Sequence, residues 1–240
     1  MRQHEEWQEG VDMSQEINVV YHLYCINDGL SRFNKVYKLI ATSGLLDRVK
    51  TIHVNCVGPD RHQYIEALNN YKKVYLHQRD YDKGELVTVN LAKRLAIKNP
   101  AGYTLYLHSK GAANKWVELD QSELRRVCIE SWIDFMLYHL VEKYGHCVKL
   151  LEHYDTCGCN MSSPDKPYWH YSGNFWWSRN NYLGKLPDCM EGDYLWSECL
   201  FLNGFETGGG KHHEVARSMY IWPEIQTNII PPESYKETNN

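Results

Sequence analysis

The sequence predicts an α/β protein of a single domain, built on a mostly parallel sheet flanked by helices. Short apolar runs rich in Val, Ile, Leu and Tyr alternate with amphipathic stretches over the first 107 residues. Their order, strand, helix, strand, helix, strand, helix, strand, favours right-handed crossovers and parallel pairing. No internal repeat or low-complexity linker divides the chain, and 240 residues suit one hydrophobic core.

The elements follow in turn. Residues 1–16 are polar and read as a tail; 17–232 form the domain, and 233–240 read as a second polar tail. The run INVVYHLYC, residues 17–25, is a buried strand closed by the turn Asn27-Asp28-Gly29. Leu30, Phe33, Val36, Tyr37 and Ile40 recur at helical spacing, and Gly44 stands where a helix ends. VKTIHVNCV at 49–57 is a second strand, stopped by Gly58-Pro59. A short helix over 61–70 leads to a third strand, KVYLH at 73–77. LVTVNLAKRLAIK at 86–98 is a helix ended by Asn99-Pro100, and YTLYL at 103–107 is a fourth strand.

The second half changes character. A long helix is expected over 121–144, with Leu124, Cys128, Trp132, Phe135 and His139 on one face, then a short one over 148–153. A strand-like stretch at 156–161 precedes an aromatic segment, 168–177, that leads into a helix start at Ser178. His212-His213 follows three glycines and reads as a flexible loop.

Composition narrows the function. With 26 Lys+Arg against 30 Asp+Glu the formal net charge is −4, which argues against a nucleic-acid binder. No apolar run reaches the roughly 18–20 residues of a bilayer span, and the first residues lack a signal-peptide pattern. The expectation is a soluble, cytoplasmic protein with no membrane span. Its eight cysteines then read as free thiols, and Cys157-Gly158-Cys159 lacks the spacing of a zinc knuckle.

Parallel sheets bind ligands outside the carboxyl ends of their strands, so the loops after Cys25, Val57, His77 and Leu107 are the places to look. After the fourth strand comes His108-Ser109-Lys110-Gly111. Such a turn offers backbone N–H groups and one cation to a phosphate, and Gly111 allows close approach. Neither a P-loop nor Gly-x-Gly-x-x-Gly is present, which disfavours a nucleotide hydrolase or a Rossmann-type oxidoreductase. The segment Trp169-His170-Tyr171-Ser172-Gly173-Asn174-Phe175-Trp176-Trp177 combines hydroxyl-binding groups with flat apolar faces, the chemistry of a sugar site. The competing reading makes Phe175 and Trp177 core residues on one face and buries one tryptophan. Among the acidic residues Asp188, Glu191, Asp193 and Glu198, the last stands in an apolar context and is the candidate general base. Asp80-Tyr81-Asp82 follows the third strand and reads as a loop feature.

At these residues the sequence resembles a glycosyltransferase of the GT-A type. More narrowly, it resembles a group from bacteria, algae and large DNA viruses. That group carries an H-[ST]-K-G turn where most GT-A enzymes have Asp-x-Asp, and an H-[FY]-S-G-N-F-W-W segment downstream. The stretches Tyr21–Tyr24, Ser43–Leu45, Glu85–Leu91 and Tyr182–Pro187, with Glu198, share in the resemblance, which spans about residues 17–202.

The resemblance implies a GT-A-like, Rossmann-like domain and transfer of a sugar from a nucleotide-sugar to a hydroxyl of a glycan or glycoconjugate. It implies donor contacts from Tyr24, Asn27, Asp28, His108, Ser109, Lys110 and Gly111. Sugar and acceptor contacts would come from His170, Ser172, Gly173, Asn174, Trp176 and Trp177, with Glu198 as base. No resident metal is assigned: without Asp-x-Asp after the fourth strand, Lys110 and His108 stand in for the Mn²⁺ or Mg²⁺ that most such enzymes use. The alternatives are a non-catalytic carbohydrate-binding protein and a degenerate transferase serving as a scaffold.

Overall fold

The structure, a computed structural model, describes residues 15–78, 84–110, 122–162, 169–189, 210–220 and 224–236. Strand β1 (Ile17–Tyr24) leads to helix α1 (Gly29–Thr42), the single turn α2 (Leu45–Arg48) and strand β2 (Val49–Val57). Helix α3 (Arg61–Leu68), strand β3 (Val74–Gln78), helix α4 (Leu86–Lys98) and strand β4 (Tyr103–His108) complete the alternating half. The predicted order of strands and helices is therefore present, with α2 as an addition.

The second half contains α5 (Ser122–Leu137), a π-helical turn over Tyr138–Glu142, and α6 (Tyr144–Leu150). Strands β5 (Thr156–Cys159), β6 (Met161–Ser162), β7 (His170–Tyr171) and β8 (Trp176–Arg179) follow, then the turn α7 (Asn180–Leu183) and strand β9 (His212–Ala216). Three expectations are corrected here. Ser178 lies inside β8 rather than at a helix start. His212 and His213 open β9, which pairs with β5, because Thr156 Oγ1 contacts His212 Nδ1 at 2.7 Å and anchors the strand. Leu124, placed on the buried face of the long helix, is 55% exposed.

Seven strands form one sheet in the order β3-β2-β1-β4-β8-β5-β9. β1 to β4 pair in parallel, β8 runs antiparallel to both β4 and β5, and β5 and β9 are parallel. Period-two alternation divides the core between the two faces of the sheet. Ile17, Val19, Tyr21 and Leu23 face α1, α3 and α5; Val20 faces the α4 and α7 side, where Tyr106 and Trp176 also pack. The chain winds outward through β2 and β3 on one face, then crosses by α4 on the other face to place β4 on the far side of β1. The strand order thus reverses between β1 and β4, where open α/β sheets bind ligands.

The turn leaving β1 is tightly built. Gly29 opens α1, and a Cβ there would stand 2.3 Å from the Tyr24 carbonyl oxygen. At the other end of the chain, Tyr235 packs edge-on against Phe135 with ring centres 5.3 Å apart, so this part of the C-terminal segment is docked on α5. The N-terminal tail lies almost wholly outside the described residues, as do residues 237–240.

Gly29→Ala is expected to destabilise the fold by about 1–3 kcal/mol, since the obstructing atom is backbone. Denaturant unfolding checks this, and a loss below ~0.5 kcal/mol would show that the turn relaxes freely.

Candidate functional site: a buried imidazole–carboxylate network at the strand crossover

β1 and β4 end side by side, with His22 opposite His108 in the ladder. Past that pair the Ser109 amide donates to the His22 carbonyl (3.0 Å), and the Tyr24 amide donates to the Ser109 hydroxyl (2.8 Å). Ser109 therefore continues the ladder with its side chain after the strands diverge. Tyr24, Asn27, Asp28, His108, Ser109 and Lys110 all lie at this crossover. Asn27 holds a left-handed backbone (φ 50°), and its carbonyl accepts from the Tyr64 hydroxyl at 3.0 Å. Asp28 pairs with Arg32 at 2.9 Å.

Beneath them lies a buried polar network centred on Glu85, the residue just ahead of α4. One carboxylate oxygen accepts from the Asn174 amide (2.7 Å) and the Tyr106 hydroxyl (3.2 Å). The other faces His108 Nδ1 at 3.3 Å. His108 Nε2 donates to the Gly173 carbonyl at 2.9 Å, so that nitrogen carries a proton. Behind it, Thr88 contacts His22 Nδ1 (2.7 Å) and accepts from the Asn55 amide (2.7 Å).

The charges follow from these surroundings. Burial acts to raise the Glu85 pKa, but His108, His22, Lys110 and the Asn174 amide together outweigh it and hold the carboxyl below its usual range. For His108 burial dominates and lowers the pKa, against the pull of Glu85. His22 is lowered to about 4, chiefly by burial.

The turn that delivers these partners explains most of the aromatic motif. Gly173 has φ 95°, and a Cβ on it would stand 2.5 Å from Met136 Sδ and 3.1 Å from the Trp132 ring. Asn174 also holds a left-handed backbone (φ 54°), a conformation asparagine tolerates. Its amide nitrogen serves Glu85 while its carbonyl accepts from Trp176 Nε1 at 3.0 Å. Trp176 stacks on Tyr106, with ring centres 4.8 Å apart and planes 8° apart. Trp177 donates to the Leu140 carbonyl at 2.9 Å.

Trp176 and Trp177 are only 1% and 0% exposed, on opposite faces of the sheet, so neither indole presents a face to a sugar. The sequence expectation for these two residues is corrected accordingly: they brace the site from within. Trp169, the first tryptophan of the segment, is 41% exposed. His170 and Ser172 lie close together at the rim (Nε2 to Oγ 3.4 Å).

A cleft opens beside the network, between α1 and α5. It is lined by Tyr21, Arg32, Lys35, His108, Lys110, Glu130 and Phe175 over an apolar floor of Val36, Ile133 and Leu137, and is narrow, with room for about one water molecule. Lys110 Nζ sits 5.0 Å from the centre of the Trp132 ring, a cation–π contact. The cation of the predicted turn thus meets an aromatic wall made by Trp132 and Phe175, not by Trp176.

Gly111 and Glu198 lie outside the described residues, as do Asp80-Tyr81-Asp82, Glu191 and Asp193. Asp188 is exposed and pairs with Lys93 at 2.6 Å. Among the described residues no three His, Cys, Asp or Glu side chains gather to hold a metal ion, and no helix is long and apolar enough to cross a membrane. The seven described cysteines are free and buried. Sequence reasoning gave no site role to Glu85, Thr88, Asn55, Tyr21, Arg32 or Trp132, although Tyr21 and Glu85 open two of the stretches that share in the resemblance. The signal available for Glu85 was a carboxylate directly before the helix that leads to its partner histidine's strand.

Residues 21–198 match the model of a family described as a domain of unknown function, DUF8361, and the chain belongs to that family. No curated protein matches the sequence. Several solved structures follow a similar course. One is a 4-diphosphocytidyl-2C-methyl-D-erythritol synthase from Anaerococcus prevotii, with TM-score 0.47 and 11% identity, over 94% of each chain. Another is a candidate nucleotide-diphospho-sugar transferase from Desulfovibrio desulfuricans, with TM-score 0.43 and 12% identity, over 84% of this chain and 80% of that one. A third, from Mycobacterium sp. strain JC1, is a homologue of a Mycobacterium tuberculosis protein, with TM-score 0.40 and 10% identity, over 84% and 85%. What the site does has to be read from the chain's own residues.

Asn174→Ala leaves a Glu85 oxygen and the Trp176 indole N–H short of a partner. It should cost about 1–3 kcal/mol in denaturant unfolding, more than alanine at an exposed asparagine. His22 yields a pH prediction. Its folded pKa of about 4 lies below the unfolded value, so the unfolded chain takes up the proton first. Its contribution to stability is whole above about pH 6.5 and is lost as pH falls toward 4. Unfolding free energies measured across that window should fall with acidification, less steeply in His22→Gln.

Proposed function

We propose that the chain transfers a glycosyl group from a nucleotide-sugar to a hydroxyl acceptor. The observation that supports this best is the meeting, at the β1/β4 crossover, of a Lys110-bearing turn with a largely buried carboxylate–imidazole pair.

In this reading the nucleoside part lies over the ends of β1, beside Tyr24, Asn27 and Asp28. The diphosphate faces the turn of His108, Ser109, Lys110 and Gly111. The acceptor oxygen attacks the anomeric carbon while the bond from that carbon to the phosphate oxygen breaks, and the electron pair leaves with the nucleoside diphosphate. Lys110 stabilises the negative charge that grows on that oxygen. The sugar and acceptor lie near His170 and Ser172, with Gly173 and Asn174 fixing the rim on which they sit.

If configuration inverts, a carboxylate must accept the acceptor's proton, and Glu198 is the residue proposed. Glu85 is unsuited to that task, because both of its oxygens are engaged within the protein. Its part is to hold His108 and the Gly173–Asn174 turn in place. Positive charge at the diphosphate comes from side chains in this scheme.

A screen of nucleotide-sugars for hydrolysis and transfer tests the reading. With the preferred donor, Lys110→Met should lower kcat by about 10²–10³. Glu198→Gln should lower turnover by a similar order while leaving donor binding nearly intact. Activity that vanishes with EDTA and returns with Mn²⁺ would overturn the assignment of charge to Lys110. Turnover of no nucleotide-sugar, with no stabilisation by UDP or GDP, would overturn the function itself.

A further inference from the structure

At the β3 edge of the sheet a second group of imidazoles lies well away from the crossover. Along the β2–β3 ladder His53 stands opposite Tyr75 and Asn55 opposite His77, so these four residues share one face. His53 Nδ1 and His77 Nε2 are 3.1 Å apart. Tyr75 packs against both rings, with its centre 6.0 Å from that of His53 and 4.9 Å from that of His77. Both imidazoles are half-buried and Tyr75 is 59% exposed, so water and small ions reach the pair.

Two rings from neighbouring strands thus meet nitrogen to nitrogen. As a hydrogen bond, the contact uses one lone pair and requires a proton on the other nitrogen. The same separation suits a metal ion. Imidazole nitrogens bind Zn²⁺ at about 2.0–2.1 Å, which sets neighbouring ligand atoms about 2.9–3.4 Å apart for bond angles from square to tetrahedral. The observed distance falls inside that interval, so an ion can be taken up by turning the rings, without a shift of either strand. Imidazole is a ligand for borderline transition ions rather than for hard ones such as Mg²⁺.

A second observation points to the same place. Asn55 is fully buried and its amide nitrogen donates to Thr88, but its Oδ1 has no hydrogen-bond partner among the described residues. A buried acceptor left without a donor calls for a specific explanation. Two protein nitrogens leave the remaining positions of the ion to water, and metal-bound water is a strong donor. Asn55, beside His77 in the ladder, supplies the acceptor for it.

We propose that His53 and His77 form a two-imidazole site for a borderline divalent transition ion such as Zn²⁺, with water completing the coordination and Asn55 Oδ1 receiving one of its hydrogens. The ion ties the edge strand β3 to β2. β1 separates the pair from β4 and Lys110, so the site is independent of the transferase reading.

Zn²⁺ is the probe, titrated by calorimetry into the full chain after treatment with a chelator. Wild type should take up one ion here with a Kd of about 1–100 µM, as suits half the ligand set of a structural zinc. His53→Gln and His77→Gln should each bind about tenfold more weakly or worse. His62→Gln, which removes an exposed histidine of α3, should bind within about twofold of wild type. Melting temperatures without metal check that the variants fold. Nitrogen-15 shifts of the wild-type imidazoles need no variant: on addition of Zn²⁺, His53 Nδ1 and His77 Nε2 should both move to metal-bound values. Failure of the wild type to bind Zn²⁺ overturns the proposal. So does binding that leaves those two shifts unchanged, or that survives both substitutions, since the contact is then a hydrogen bond alone.

Discussion

Glu85 is a carboxylate largely taken out of water ahead of α4, its side chain 11% exposed, and most of its solvation is replaced by groups from elsewhere in the chain. His108 and Tyr106 reach it from β4, and Asn174 from the turn before β8. A buried charge is tolerated only when it is paired and hydrogen-bonded, so these partners are obligatory. Through them Glu85 fixes the end of β4 to the Gly173–Asn174 turn. The position of Lys110, two residues beyond His108, depends on this arrangement.

The topology supplies the place and the network supplies the rigidity. Reversal of strand order between β1 and β4 leaves a crevice at their carboxyl ends that no crossover helix covers. On the α4 side the crevice is closed by the Glu85–His108–Asn174 cluster. On the α1 side it opens into a narrow cleft lined by Tyr21, Arg32, Lys35 and Lys110.

Much of this was legible in the sequence. The alternation of apolar strands and amphipathic helices gave the parallel half, and the rule of binding at carboxyl ends pointed to the turn after β4. The Gly-Asn pair stood out as special backbone, though its purpose did not. Trp176 and Trp177 read as a sugar platform because flat apolar rings next to polar side chains look alike whether buried or exposed. Only the antiparallel insertion of β8 between β4 and β5 shows that both are enclosed. Glu85 was hidden because an acidic residue before a helix ordinarily reads as a favourable end charge. Its partners are distant in sequence, Asn174 by 89 positions. Tyr21 fell on the buried side of an alternating strand and Arg32 on an amphipathic helix, and periodicity says nothing about whether a buried hydroxyl or guanidinium nitrogen finds a partner.

The protonation state of His108 tests this account most directly. Nitrogen-15 chemical shifts of its imidazole, followed between about pH 5 and pH 8, report which ring nitrogen carries a proton. The account predicts Nε2 protonated throughout, donating to Gly173, with His108 neutral and its titration displaced below the ordinary histidine value. An Nε2 without its proton, or a free titration near the ordinary histidine value of about 6.5, would contradict it.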